Sequence, residues 1–280
     1  MKKLCIVCLF LMTFLFMLMP STYAAEVQIK IDGVLAVSDV KAESKNNRTM
    51  VPLRIVSENL GASVEWNNTK VFLKKNSKTV ELTTNSASAL KDGTEVQLDV
   101  QPYLKNNRVM VPLRFIAEAF DCSVKYRNSI ITIDSKPLVI DGMVVKALQN
   151  EYNATMGGVV QQVNGNAYSE TIYNIFMANM GDKVDAPKSY YWKPSIMSSG
   201  EYYQEGQYDF IGINGQSIER FDIYSLVGAE KFPKEPKVLV YNANADAWFL
   251  FNETAASSIK KYIEIATRNG FLTIISNDIP

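Results

Sequence analysis

Short segments in which apolar and polar residues alternate dominate the first half of the chain, a pattern typical of half-buried β-strands. Residues 27–31 alternate in this way up to Asp32-Gly33, a dipeptide that favours a two-residue hairpin turn. Asp92-Gly93 follows 60 positions later, also between predicted strands. The pattern therefore predicts hairpins at equivalent places in two parts of the chain.

The apolar pattern then changes from the period of a strand to the period of a helix. The polar stretch 41–48 is predicted to be a loop, and Met50 and Val51 end a strand. Pro52 suits the first turn of a helix, where its missing N–H would have no partner in any case. Gly61 favours the end of that helix, because glycine readily adopts the left-handed conformation. A short helix is therefore expected between Pro52 and Gly61.

This strand-to-helix block occurs twice. Residues 46–54 read Asn-Asn-Arg-Thr-Met-Val-Pro-Leu-Arg, and residues 106–114 read Asn-Asn-Arg-Val-Met-Val-Pro-Leu-Arg. Such duplication indicates a supersecondary unit used twice, because one copy cannot bury its apolar face alone. The copies cover about residues 27–74 and 87–134, each with the predicted order hairpin, loop, helix, hairpin. The sequence thus predicts an α+β fold that begins with a duplicated hairpin-helix-hairpin module and a mainly antiparallel sheet.

Five charged, aromatic and proline positions recur in the two copies and give ten residues. They form a structural motif: Arg48, Pro52, Arg54, Glu58, Trp66, Arg108, Pro112, Arg114, Glu118 and Tyr126. Each predicted helix carries an arginine and a glutamate four residues apart, a spacing that allows an ion pair. A buried arginine that donates to backbone carbonyls at the strand–helix corner is the alternative interpretation. A ligand-binding role for the four arginines also stays open, although their presence in both copies favours a framework role.

The chain after this module is predicted to form a second α+β domain. Apolar residues at helical spacing predict a helix over residues 168–180 and another that begins at Thr254, with strands between and after them. The predicted organisation is therefore a leader at 1–24, the duplicated module at 25–135 and the second domain at 136–280.

An aromatic-rich segment lies between residues 190 and 210. Its candidate ligand contacts are Tyr190, Tyr191, Trp192, Tyr202 and Tyr203. Exposed rings with polar tips are common at recognition surfaces and can stack on sugars. Tyrosine and tryptophan also favour strands, so half-buried sheet positions are the competing interpretation.

The first residues have the pattern of a secretory signal. Lys2 and Lys3 precede an uncharged apolar run over residues 4–19, and Ala24 offers a small-residue cleavage site. The alternative is an uncleaved membrane anchor, but the run is shorter than the roughly 20 residues of a spanning helix. We therefore predict a secreted or cell-surface protein that is cleaved after Ala24.

The amino-acid composition narrows the chemistry. The chain has no histidine, which excludes Ser-His-Asp and Cys-His catalysis and the usual zinc and copper sites. Basic and acidic residues number 29 each, so no basic field for nucleic acid is expected. Cys122 is the one cysteine beyond the leader, which excludes an internal disulfide in the mature chain and favours a buried apolar role.

Without histidine, the remaining routes to catalysis are paired carboxylates, a Ser-Lys dyad and a metal site with oxygen ligands. Two suitably placed acids would suffice for glycoside hydrolysis. The second half offers Glu201, Glu205, Asp209, Glu219, Asp222, Asp246 and Glu253. Their spacing singles out no pair, and the sequence lacks a Ser-x-x-Lys motif, a phosphate-binding glycine loop and a calcium-binding loop. We therefore predict no catalytic, cofactor-binding or metal-binding residues and no cofactor.

The repeated block resembles the copper amine oxidase N-terminal-like domain, or stalk domain, of exported proteins from Gram-positive-type bacteria. The resemblance covers roughly residues 26–135 and rests on the Asp-Gly turns, the repeated block and, in the first copy, Glu58, Gly61, Val64 and Trp66. The departures are Asp121 in place of glycine and Tyr126 in place of tryptophan, both in the second copy. The resemblance implies a non-catalytic surface or wall-associated module, since the oxidase itself needs three histidine copper ligands.

The expected function is that of an exported, non-catalytic binding or structural protein of the cell envelope, without copper or amine oxidase activity. The expected partners are cell-wall polysaccharide or another envelope protein, and not nucleic acid. Residues 276–280 contain no sortase-type motif, so a covalent wall anchor is not expected. A cell-wall glycan hydrolase that uses carboxylates of the second domain is the alternative.

Overall fold

A computed structural model describes residues 27–154, 157–192 and 198–278. The predicted leader, its cleavage after Ala24 and the membrane-anchor alternative lie outside the described residues. The fold is mixed α and β, and its sheets are mainly antiparallel. Within the described ranges, no helix has both the length and the apolar character needed to cross a membrane.

Strands predominate in both halves of the described chain, and single helices separate runs of strands. The α-helices of the described ranges are α1 (Leu53–Asn59), α2 (Leu113–Ala119), α3 (Asn166–Asn179) and α4 (Glu253–Arg268). The strands of the first half are β1 (Gln28–Ile31), β2 (Val34–Leu35), β3 (Glu43–Lys45), β4 (Arg48–Pro52), β5 (Ser63–Asn67), β6 (Lys70–Lys75), β7 (Lys78–Thr83), β8 (Ser88–Lys91), β9 (Thr94–Gln97), β10 (Tyr103–Lys105), β11 (Arg108–Pro112), β12 (Ser123–Arg127) and β13 (Ile130–Asp134). The strands of the second half are β14 (Val139–Ile140), β15 (Met143–Ala154), β16 (Gly157–Val163), β17 (Met180–Val184), β18 (Tyr190–Tyr191), β19 (Tyr202–Gly212), β20 (Ser217–Leu226), β21 (Val238–Asn242), β22 (Ala247–Phe251) and β23 (Leu272–Asn277).

The sheets of the first half join the two sequence copies to each other. Their orders are β12-β13-β1-β2, β10-β11-β4-β3 and β5-β6-β7-β8-β9. Strands β4 and β11 pair antiparallel with Val51 opposite Val111, which are equivalent positions of the two copies. Equivalent residues that face each other in this way create a local two-fold axis. Strand β1 of the first copy also pairs, in parallel, with β13 of the second.

The stretch 41–48 is not a simple loop, contrary to the prediction. It contains β3, the outer strand of the sheet β10-β11-β4-β3. The side chains of β3 are exposed or half-buried, so the strand has no apolar alternation that the sequence could show.

The second half is built around one ten-stranded sheet. Its main order is β17-β22-β21-β20-β19-β15-β16-β23, with β14 and β18 attached to β15 and β19. Helices α3 and α4 cover one face, where Phe176 stacks on Phe221 with 4.5 Å between ring centroids. A smaller cluster that includes Tyr202, Tyr224 and Trp248 lies on the other face. One face of the sheet therefore packs against the two helices, and the other carries the smaller cluster.

One hydrophobic cluster crosses the predicted domain boundary at residue 135. It contains Leu60 and Ile133 from the first half and Tyr168 and Phe271 from the second, all with exposures below 2%. The strands separate at this boundary, because no sheet of the described chain mixes strands from the two sides. The sheets separate at residue 135, but the hydrophobic core does not. The division into residues 25–135 and 136–280 therefore stays a prediction.

The end of α1 contacts α3 closely. Gly61 has φ +79°, and a Cβ there would lie 2.5 Å from Thr171 Oγ1 and 3.1 Å from the carbonyl oxygen of Ala167. The equivalent position in the second copy is Asp121, whose carboxylate instead lies 2.6 Å from the Lys78 ammonium. The glycine of the first copy thus leaves room for the backbone and side chains of α3, whereas Asp121 of the second copy forms ion pairs with Lys78 and Lys136.

Cys122 has the buried apolar position that the sequence favours. Its side chain belongs to the main hydrophobic cluster, and Ala62 occupies the equivalent buried position in the first copy. Burial raises the pKa of the Cys122 thiol to about 11, so the neutral thiol predominates at neutral pH.

Candidate functional site: two related clefts between the copies

The ten motif residues line two clefts at the junction of the copies. The first cleft has a volume of about 690 Å³, and its motif residues are Pro52, Arg54, Glu58, Trp66 and Arg108. The second has a volume of about 450 Å³, and its motif residues are Pro112, Arg114, Glu118, Tyr126 and Arg48. Eleven of the twelve residues that line the second cleft lie 60 positions from a residue of the first. Each cleft therefore combines the helix of one copy with the arginine-bearing turn of the other.

Local backbone geometry places these side chains. Asn106 and Asn107 have φ of 47° and 59°, a left-handed conformation that asparagine tolerates better than most residues. The turn that they form brings Arg108 to the start of β11 and to the first cleft. Pro52 ends β4 and precedes α1, so the strand runs directly into the helix that forms the opposite wall. The same geometry recurs around the second cleft.

The two turn arginines form reciprocal ion pairs with aspartates of the other copy. Arg108 Nη2 lies 2.6 Å from Asp39 Oδ2, and Arg48 Nε lies 2.6 Å from Asp99 Oδ2. Exposed pairs of this kind contribute about 0.2–1 kcal/mol each. The sequence analysis did not single out the two aspartates, although they too lie 60 positions apart, because they are outside the repeated block.

The helix arginines lie at the rims of the clefts. Arg54 Nε is 3.7 Å from Glu58 Oε1, and Arg114 Nε is 3.9 Å from Glu118 Oε1. These are the ion pairs that the spacing predicted, in a loose form. The arginine side chains are 62% and 59% exposed, and those of the turn arginines are 48% and 44% exposed. The four arginines are therefore not buried, as the alternative interpretation had them, although the two turn arginines each donate to a backbone carbonyl, that of the preceding asparagine.

The aromatic residues of the two clefts differ in what covers their rings. Trp66 and Tyr126 are similarly exposed, at 45% and 46%. The guanidinium of Arg114 lies over the Tyr126 ring, 5.4 Å from its centroid. In the part of the chain that the structure describes, no arginine or lysine stacks on Trp66 in this way. The two rings thus differ in that a guanidinium lies over one face of Tyr126, although their overall exposure is similar.

The second half of the chain supports the first cleft. Arg268, at the end of α4, places Nη2 2.8 Å from Glu58 Oε2. The next residue, Asn269, donates a hydrogen bond to the buried Asn59 Oδ1 at 2.9 Å, and the Tyr168 hydroxyl donates to the same oxygen at 2.6 Å. The second copy has alanine at the position of Asn59. The first cleft therefore has a third arginine, and a hydrogen bond to the buried Asn59 fixes Asn269 in its lining.

The first cleft is also the more apolar of the two. Val37 and Leu104 line it with exposures of 60% and 59%, together with Val109. The equivalent positions of the second cleft are polar: Gln97, Ser44 and Thr49. Copies with nearly the same motif have thus diverged at the positions that surround it.

The candidate aromatic segment does not form one exposed surface. Tyr202 is 6% exposed, and its hydroxyl donates to a backbone carbonyl at 2.5 Å, so it is not available to a ligand. Tyr191 and Tyr203 are half-buried, whereas Tyr190 and Trp192 are exposed. Side chains alternate between the two faces of β19, and this alternation points Tyr202 into the smaller cluster. The aromatic composition of the segment did not show which rings would be buried.

Two of the candidate carboxylates lie near each other on the ten-stranded sheet. Asp209 on β19 is opposite Arg220 on β20, and Asp222 follows two residues later on the same face. Burial raises the pKa of Asp222 to about 6, although the Arg220 guanidinium opposes the shift. Burial also raises the pKa of Asp209, against a hydrogen bond from the Ser217 hydroxyl. Burial also raises the pKa of Glu219, against a hydrogen bond from the Asn242 amide, so three of the candidate acids have raised pKa values.

A comparison with known proteins finds one family that resembles the first half of the chain. Residues 30–135 match the family model of the copper amine oxidase N-terminal domain. No curated protein and no solved structure matches the chain. The residues present do not fit the copper centre of an amine oxidase, because the chain contains no histidine. Residues 30–135, which supply most of the lining of both clefts, are therefore similar to the copper amine oxidase N-terminal domain.

Proposed function

We propose that the protein is an exported, non-catalytic binding or structural protein of the cell envelope and that the first cleft is its ligand site. The main support is the combination of groups in that cleft. An open aromatic ring, exposed aliphatic side chains and arginines converge in one concavity of about 690 Å³. Pockets that combine apolar walls with a few polar groups are typical ligand sites.

The domain itself acts as a duplicated spacer in this proposal. Helices α1 and α2 and the reciprocal Arg–Asp pairs support two equivalent hairpin-helix-hairpin units joined by β4 and β11. Export is supported by the signal-like pattern of residues 1–24. The partner is cell-wall polysaccharide or another envelope protein, held reversibly.

A pull-down of residues 25–280 with purified cell wall and with an envelope protein fraction tests this role. Bound protein and released soluble sugar are both measured. We expect binding to one fraction without sugar release, and a loss of about fivefold or more with Trp66→Ala, since exposed aromatic anchors often dominate binding. Tyr126→Ala is the matched control in the second cleft, with an expected change of less than about twofold. Binding to neither fraction, or equal losses for both variants, would contradict the proposal.

A second candidate function, hydrolysis of cell-wall glycan, is favoured by Asp222. Its raised pKa of about 6 keeps a fraction of the carboxyl protonated near neutral pH, as a general acid requires. Asp209 on the neighbouring strand would supply the second carboxylate. The same experiment tests this candidate: sugar release that Asp222→Asn abolishes would replace the binding role with an enzymatic one.

A further inference from the structure

The side chains that line the first cleft indicate which class of ligand it binds. We propose that this cleft binds a peptide segment that carries a carboxylate next to aliphatic side chains. The proposal rests on the function proposed above and adds the ligand class. It is carried by the apolar walls of the cleft, by its charge and by the pairing of its polar groups.

The apolar walls require an apolar part of the ligand. Trp66, Val37 and Leu104 expose 45%, 60% and 59% of their surface in one cleft. Removal of such surface from water is the main driving force of association. The second cleft has polar residues at two of these positions and, at the third, a tyrosine ring with the Arg114 guanidinium over one face. The exposed aliphatic surface is therefore specific to the first cleft.

The charge of the cleft requires an anionic group. Arg54 and Arg268 share one carboxylate, that of Glu58, at 3.7 and 2.8 Å, and Arg108 is neutralised by Asp39. Three arginines thus face two acids, whereas the second cleft has two of each. Arg54 is the most loosely held and lies 62% exposed at the rim. A ligand carboxylate there can accept two parallel hydrogen bonds from the guanidinium.

The pairing of the polar side chains favours a peptide over a sugar. Asp39, Arg108, Glu58 and Arg268 are already engaged with each other, and the walls beside Trp66 are aliphatic. A sugar ring would bring many hydroxyl groups into surroundings that offer them few partners, and each unpaired group would weaken binding. An aliphatic side chain has no such groups. The volume of about 690 Å³ is also within the range of pockets for small ligands and short segments.

The test uses fluorescence anisotropy with residues 25–280 and two labelled peptides. One is Leu-Glu-Leu-Glu-Leu-amide with the label at its N-terminus, and the other has glutamine in place of glutamate and the same label. We expect the glutamate peptide to bind about tenfold more tightly, because it alone pairs with the excess arginine charge. Trp66→Ala and Arg54→Gln should each weaken its binding by about tenfold. Arg114→Gln, the matched change in the second cleft, should alter it by less than about twofold.

Chitotetraose, a neutral sugar, is the third probe. Equal affinity for both peptides, no binding up to about 1 mM, or equal effects of Arg54→Gln and Arg114→Gln would overturn the proposal. Chitotetraose binding that Trp66→Ala abolishes would also overturn it in favour of a glycan. If the envelope pull-down depends on Trp66 while neither peptide binds, the peptide proposal fails and the binding role stands. If the pull-down is negative as well, both fail.

Discussion

The stability of the folded protein should depend on pH through one residue, Asp222. Its side chain is 5% exposed, and Arg220 Nε lies 3.3 Å from its Oδ1. Burial raises its pKa from 3.8 to about 6, so the folded protein binds this proton more tightly than the unfolded chain does. For an acid with a raised pKa, stability is greatest below the unfolded value and decreases as the pH rises through the folded value.

Asp222→Asn removes this titration while it keeps the size of the side chain. We expect the stability of the wild type, relative to that of the variant, to fall by on the order of 2 kcal/mol between pH 4 and pH 7. Urea denaturation of both proteins at the two pH values measures the difference. If the difference in unfolding free energy between wild type and variant is the same at both pH values, burial does not destabilise the charged form of Asp222.

At the residue scale, the sequence predicted the motif but not its surroundings. Arg54 and Glu58 were recognisable from their spacing, and their ion pair is present. Asp39 and Arg268, which complete the first cleft, lie outside the repeated block, although Asp39 recurs as Asp99. Their contribution depends on contacts between distant parts of the chain, which periodicity does not encode.

At the scale of elements, the helices were the most predictable. The sequence predicted a helix over residues 168–180, and α3 spans Asn166–Asn179. The second predicted helix begins at Thr254, next to the observed start at Glu253, where Asn252 accepts hydrogen bonds from the first backbone N–H groups. Apolar spacing and capping residues are local signals, so they survive in any tertiary setting.

The contact of α1 with α3 leads to a prediction that compares the two copies. Gly61→Ala should destabilise the protein by about 2–3 kcal/mol, because the new Cβ has an unfavourable φ and lies 2.5 Å from Thr171 Oγ1. Asp121→Ala, at the equivalent position, should cost about 1 kcal/mol or less, since it loses mainly an exposed ion pair.

Thermal and urea unfolding measure both variants. Thr171→Ala should recover part of the loss in the Gly61→Ala background, because it removes the nearest atom. Equal losses at the two positions would mean that the close approach of α3 to α1 is not what requires glycine.

At the scale of the whole molecule, the two halves share one hydrophobic cluster. Leu60 and Ile133 belong to it with Tyr168 and Phe271, and Lys75, 7% exposed, pairs with Glu170 on α3 at 2.9 Å. Separation of the halves would expose these groups together. The domain division predicted from the sequence agrees with the separation of the strands into sheets. The shared hydrophobic cluster, in contrast, should couple the unfolding of the two halves.

We therefore expect residues 25–280 to unfold in one cooperative transition. Differential scanning calorimetry should give a single peak with equal calorimetric and van't Hoff enthalpies, the criterion for two-state unfolding. Two resolved peaks would show that residues 25–135 and 136–280 are independent domains and that their shared cluster contributes little.

The sequence by itself determined the elements, the duplication and the excluded chemistry. Alternation, helical spacing and turn residues report which face of a segment is buried, and these signals are local. The match of residues 30–135 to the copper amine oxidase N-terminal domain confirms the resemblance that the repeated block carries. The lack of histidine excludes imidazole chemistry in any conformation.

Only the tertiary structure decided where the clefts form and how they differ. The pairing of β4 with β11 places an arginine of each copy beside the helix of the other. The docking of α4 then adds Arg268 to one cleft alone. Both outcomes depend on packing between segments that are distant in the chain, and the hydrophobic pattern specifies that a face is buried without specifying which surface covers it.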